Sequence, residues 1–99
     1  MARESKFQKQ RVETIEKTFP GCFVMKNDSG YIQGIPDLTI LHENKWAVLE
    51  VKKSKADSAP SKLQPHQADY IRQLNSMSYA SFVYPENVEE VLSDLQRAL

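Results

Sequence analysis

The sequence predicts a single α/β domain, a small mixed β-sheet flanked by helices in the order αβββαβα over residues 1–99. Three observations carry this. The 99 residues suffice for one modest core and one domain. Three segments place apolar residues at helical spacing, and four shorter ones are β-prone. Turn-forming residues such as Pro20-Gly21, Asn27-Asp28-Ser29-Gly30 and Glu43-Asn44 punctuate the chain between them.

Taken in order, residues 3–19 read as helix, with Phe7, Ile15 and Phe19 on one stripe and Val12 beside it. Pro20-Gly21 ends that helix. Cys22 to Lys26 is a short strand, and Tyr31 to Pro36 is a Gly-containing linker. Asp37 to His42 and Lys45 to Lys52 are strands joined by Glu43-Asn44, a two-residue hairpin turn in which Asn tolerates positive φ. Lys53 to Lys62 is a Ser/Lys/Ala/Pro loop, expected to be mobile. A helix follows from Pro65 to about Met77, with Leu63, Tyr70, Ile71, Leu74 and Met77 near one face. Tyr79 to Tyr84 is a strand. Pro85 suits the first turn of a last helix, where its missing N–H costs nothing. Val88, Val91, Leu92, Leu95 and Leu99 form the apolar stripe of that helix, and Glu86, Glu89 and Glu90 favour its N-terminal end.

Composition removes several classes. With 40% hydrophobic and 26% charged residues the chain is neither disordered, collagenous nor a coiled-coil rod. No apolar run approaches the roughly 20 residues needed to cross a bilayer, and Met1 to Arg11 has no secretory h-region. These features predict a cytoplasmic protein without a membrane partner. Cys22 is the single cysteine, so no internal disulfide forms and a reducing compartment is expected. One Cys with only His42 and His66 also disfavours a structural zinc site. The net charge of zero hides a split. Residues 1–62 carry 11 Lys/Arg against 8 Asp/Glu, and residues 63–99 carry 2 against 5. The first two-thirds could meet a polyanion.

The chemistry concentrates at Gly34-Ile35-Pro36-Asp37 and Glu50-Val51-Lys52. A two-residue turn at Glu43-Asn44 sets Asp37 opposite Glu50, Thr39 opposite Val48 and Leu41 opposite Trp46. Opposed Cβ atoms lie about 4.5–5.5 Å apart on one sheet face. Lys52 shares that face with Glu50, because side chains alternate along a strand. Leu38, Ile40, Ala47, Leu49 and Val51 take the other face and build core. Singly, each polar residue has an ordinary explanation: Asp37 caps a turn, Glu50 pairs with a lysine, Lys52 ends a strand. Together they place two repelling carboxylates side by side, which calls for a divalent cation. Oxygen ligands without Cys or His suit Mg²⁺, with Mn²⁺ able to substitute, and the Val51 carbonyl could supply one more oxygen. Lys52 beside such a cation suits hydrolysis of a phosphodiester.

The same residues carry a resemblance. Pro36-Asp37, twelve residues, then Glu50-Val51-Lys52 resembles the PD-(D/E)XK nuclease signature. Gly34-Ile35-Pro36-Asp37-Leu38, Leu49-Glu50-Val51-Lys52 and Leu63-Gln64-Pro65-His66-Gln67 with Tyr70 resemble its VRR-NUC branch, above all the small stand-alone phage-type members. The resemblance runs from Glu4 to about Leu95 and implies a minimal nuclease domain. It also implies a Mg²⁺-dependent endonuclease with Asp37 and Glu50 as metal ligands and Lys52 as the catalytic lysine. The first helix of that family brings a glutamate to the site. Glu4 fits best, three residues before Phe7, with Glu13 and Glu16 as rivals. Gln67 matches the family's glutamine; it shares a face with Tyr70, Ile71 and Leu74, and a polar group pointed inward needs partners. Tyr70 itself reads as core. Lys26, Lys53, Lys55 and Lys62 flank the site and could contact DNA phosphates. Small relatives resemble Holliday-junction resolvases, which implies branched DNA as substrate, a homodimer and no small-molecule cofactor. Tyr31, Ile32, Phe82 and Tyr84 are the candidate dimer surface. A phage origin would put the protein in the cytoplasm of a bacterial host. The alternative is a non-catalytic DNA-binding or assembly module on the same fold. A structural protein with an accidental motif is the third reading.

Overall fold

The computed structural model of the protein describes residues 6–28 and 30–99. The elements are α1 (Lys6–Thr18), β1 (Phe23–Lys26), β2 (Leu38–His42), β3 (Lys45–Val51), α2 (Gln67–Met77), β4 (Tyr79–Val83) and α3 (Val88–Ala98). Their order is the expected αβββαβα. The four strands make one sheet in the order β1-β2-β3-β4. The first three run antiparallel, and β4 lies parallel to β3 with α2 as the crossover.

The alternation of side chains divides the work between two faces. Leu38, Ile40, Ala47 and Leu49 are fully buried on one face, where they cluster with Ile15 and Phe19 from the α1 end, Val83, and Val91 and Leu95 of α3. Val51 is half-buried against the same cluster. Each buried Leu or Ile there contributes about 1.5–3 kcal/mol. The stripes on α1 and α3 face this cluster as their spacing requires, with Phe7, Val12, Val88, Leu92 and Leu99 packed at its margin. The opposite face carries Thr39, Val48, Glu50 and Ala80, and α2 lies over its β3–β4 half.

Several boundaries differ from the sequence reading. The turn residue with positive φ is Glu43, at +57°, although Asn tolerates that region better. Regular pairing in β2 begins at Leu38 and β3 ends at Val51, yet Lys52 still donates its N–H to the Val83 carbonyl. Residues 53–62 are not featureless: they wind into two short 3₁₀ turns, Lys55–Ser58 and Pro60–Lys62. α2 starts at Gln67 because His66 adopts φ +73° and cannot be helical. Met77, expected on the buried face of α2, is 70% exposed at the helix end. Pro85–Asn87 forms a 3₁₀ turn that leads into α3, closed by the Asn87 side chain accepting from the Tyr84 N–H at 2.8 Å. Among the described residues no helix is long and apolar enough to cross a membrane.

Candidate active site

The hairpin register is the predicted one: Leu38 faces Leu49, Thr39 faces Val48 and Leu41 faces Trp46. One step further sets Asp37 beside Glu50, on the face that α2 covers. Glu50 is 4% exposed. Its Oε2 accepts from Gln67 Nε2 at 2.8 Å and lies 3.5 Å from Lys52 Nζ. Its Oε1 is buried and has no hydrogen-bond partner among the described residues. Gln67 is 8% exposed, and its Oε1 accepts from Lys52 Nζ at 3.0 Å and from the Gln64 N–H at 2.9 Å. Asp37 Oδ2 accepts from the Val51 N–H at 2.8 Å. The structure therefore brings Asp37, Glu50, Val51, Lys52 and Gln67 together. The inward polar group foreseen on α2 is the bridge between Glu50 and Lys52.

Electrostatics follows from burial. Glu50 is pushed up to about 7, first by loss of water, then by the Asp37 charge, with Lys52 pulling the other way. Asp37 is also raised by burial, opposed by the Val51 N–H and then by Lys52. A buried oxygen without a donor is costly in a folded protein. The oxygens of Asp37 and Glu50 form a hard, anionic donor set, which fits Mg²⁺ or Mn²⁺. The Val51 carbonyl suits the same role: its ladder position faces Pro36, which has no N–H to offer it. Among the described residues no group of three or more His, Cys, Asp or Glu side chains gathers at any point.

The other candidates are placed as follows. Glu4 lies outside the described residues. Glu13 and Glu16 are exposed on α1, and Glu16 acts on Cys22, whose thiol is raised first by burial and then by that charge. Lys26 ends β1, Lys53 follows Lys52, and Lys55 and Lys62 stand on the two 3₁₀ turns; all four are exposed. Tyr70 is half-buried and meets the His66 ring edge-on at 6.4 Å. Tyr31 and Ile32 are exposed, whereas Phe82 and Tyr84 are half-buried.

Two structural roles escaped the sequence reading, that of Gly34, which stood in the motif, and that of Asn27. A cleft of about 270 Å³ opens at the site, lined by Gln33, Gly34, Ile35, Asp37, Gln64 and Gln67. Gly34 has φ +86°, and a Cβ there would fall 2.5 Å from the Pro65 carbonyl oxygen. That close approach seats the linker before Asp37 against the turn that starts α2. Asn27, read as part of a turn, donates through Nδ2 to the Pro36 carbonyl and to Thr39 Oγ1, both at 2.8 Å. The composition of Asn27-Asp28 signals a turn, and nothing local signals these distant acceptors.

Superposition on a solved structure, a VRR_NUC domain protein, gives a TM-score of 0.58 at 15% identity, covering 99% of this chain and 91% of that one. The fold is that of a VRR_NUC domain. No family model matches the sequence, and no curated protein matches it. The VRR_NUC likeness spans nearly the whole chain, so the expected fold, α/β in the order αβββαβα with a mixed sheet, is the observed one.

Proposed function

We infer that the protein is a metal-dependent endonuclease that hydrolyses DNA phosphodiester bonds, acting on branched or otherwise structured DNA. The observation that carries this reading is the buried Glu50, its Oε1 without a partner among the described residues, beside Asp37 and braced by Gln67 and Lys52. The VRR_NUC nuclease fold supports it. Asp37 and Glu50 would hold the cation, with the Val51 carbonyl as a further oxygen and Glu4 as the candidate from the N-terminal segment. When bound, Mg²⁺ or Mn²⁺ supplies Lewis-acid charge to a phosphate oxygen and lowers the pKa of a water.

The chain's own residues do the rest. Gln67 holds the Glu50 carboxylate and the Lys52 ammonium at fixed spacing through opposite ends of one amide. Lys52 Nζ has three N–H donors. Gln67 takes one and Glu50 lies close to another, which leaves a third for a water or a phosphate oxygen. Lys26, Lys53, Lys55 and Lys62 would hold the DNA backbone without reading its sequence. A homodimer would set two such sites against two strands, with the exposed Tyr31 and Ile32 as the surface to probe.

The test is cleavage of supercoiled plasmid, linear duplex, single strand and a four-way junction with Mg²⁺ or Mn²⁺. Asp37→Ala and Lys52→Ala run beside the wild type. Metal-dependent cutting that both substitutions abolish supports the reading, and a preference for the junction supports the substrate class. Tight DNA binding without cutting overturns the enzyme in favour of a binding module.

A further inference from the structure

The β2–β3 hairpin should alternate between hydrogen-bonded and non-bonded pairs. His42 and Lys45 close the turn, so bonded pairs fall at Ile40 with Ala47 and Leu38 with Leu49. The next rung of that ladder would join the Val51 N–H to the Pro36 carbonyl. The structure makes a different set of bonds. Asn27 Nδ2 takes the Pro36 carbonyl and Thr39 Oγ1, while the Asn27 N–H continues the β1–β2 register to the Asp37 carbonyl at 2.7 Å. The Val51 N–H goes instead to Asp37 Oδ2 at 2.8 Å. Both Nδ2 hydrogens are used on acceptors, so the orientation of the amide is fixed by its partners: turned over, Oδ1 would face the Pro36 oxygen.

We propose that Asn27 is a positioning residue for Asp37: by holding the Pro36 carbonyl away from β3, it releases the Val51 N–H to the Asp37 carboxylate and sets that group beside Glu50. An amide from beyond the edge strand thus replaces one rung of the hairpin ladder. Without it the ladder extends by one bond and the carboxylate loses this donor. The inference rests on reading Asp37 and Glu50 as cation ligands, and its test separates the two.

Through-hydrogen-bond nuclear magnetic resonance coupling in the wild type is expected to connect Val51 N to the Asp37 carboxyl carbon. Coupling to the Pro36 carbonyl carbon instead overturns the proposal, with no variant needed. Asn27→Leu and the isosteric Asn27→Asp both lack the donors. In each, the coupling moves to Pro36 or disappears, and the half-saturating Mn²⁺ concentration measured by calorimetry rises on the order of ten-fold or more. Thr39→Val keeps the Pro36 bond and retains the coupling to Asp37. An unchanged Val51–Asp37 coupling in both Asn27 variants sinks the assignment. A wild type that binds no Mn²⁺ overturns the nuclease reading, while the coupling alone still decides the part played by Asn27.

Discussion

At Glu50 burial works against ionisation, and the sign of the effect can be read from pH. Its carboxyl rises from the ordinary 4.5 to about 7 in the folded protein. Between those values the folded state keeps a proton that the unfolded state has released. The stabilisation is therefore complete below about 4.5 and is lost as pH rises through about 7. Glu50→Gln should raise the melting temperature of the metal-free protein at about pH 8 and leave it nearly unchanged at about pH 4. Equal gains at both would mean that charge burial is not the cause. A cation that replaces this proton should bind more weakly as pH falls below about 7, approaching ten-fold per unit for one proton displaced, measurable by Mn²⁺ titration. Gln67→Leu strands Glu50 Oε2 and Lys52 Nζ together, and chemical denaturation should show a loss of about 1–3 kcal/mol. Asp37, Glu50 and Lys52 were legible in the sequence because a hairpin turn and strand alternation fix their relation. Asn27 was not, because its acceptors lie nine and twelve residues away.

Between elements, the seam that matters joins the linker before β2 to the start of α2. The hairpin could be read residue by residue, since two turn residues determine every pair behind them. The start of α2 could not. His66 holds a left-handed backbone, and Gly34 from a separate segment backs against the same turn. Gly34→Ala combines an unfavourable φ with a backbone clash that no rotamer relieves. Thermal melting should register a loss above about 1 kcal/mol. Because Gln67 is the first residue of α2, Mn²⁺ affinity should weaken as well. An alanine variant with unaltered melting and affinity would show that the linker and α2 are not mechanically joined.

Across the whole molecule, the sheet separates the apolar core from the proposed site. The α1/α3 face is apolar and closed, and the α2 face carries the carboxylates. Leu38→Ala on the closed face should cost about 2–5 kcal/mol in denaturant unfolding. Below its lowered melting temperature that variant should keep the Mn²⁺ affinity of the wild type, since Leu38 points away from Asp37 and Glu50. The parallel strand β4 gives this division a direction in time. Asp37, Glu50 and Lys52 leave the ribosome before Val83, which receives the Lys52 N–H, and before Leu95, which completes the core. The groups that gather around Asp37 thus exist in the growing chain before the strand and the helix that close the core beneath them.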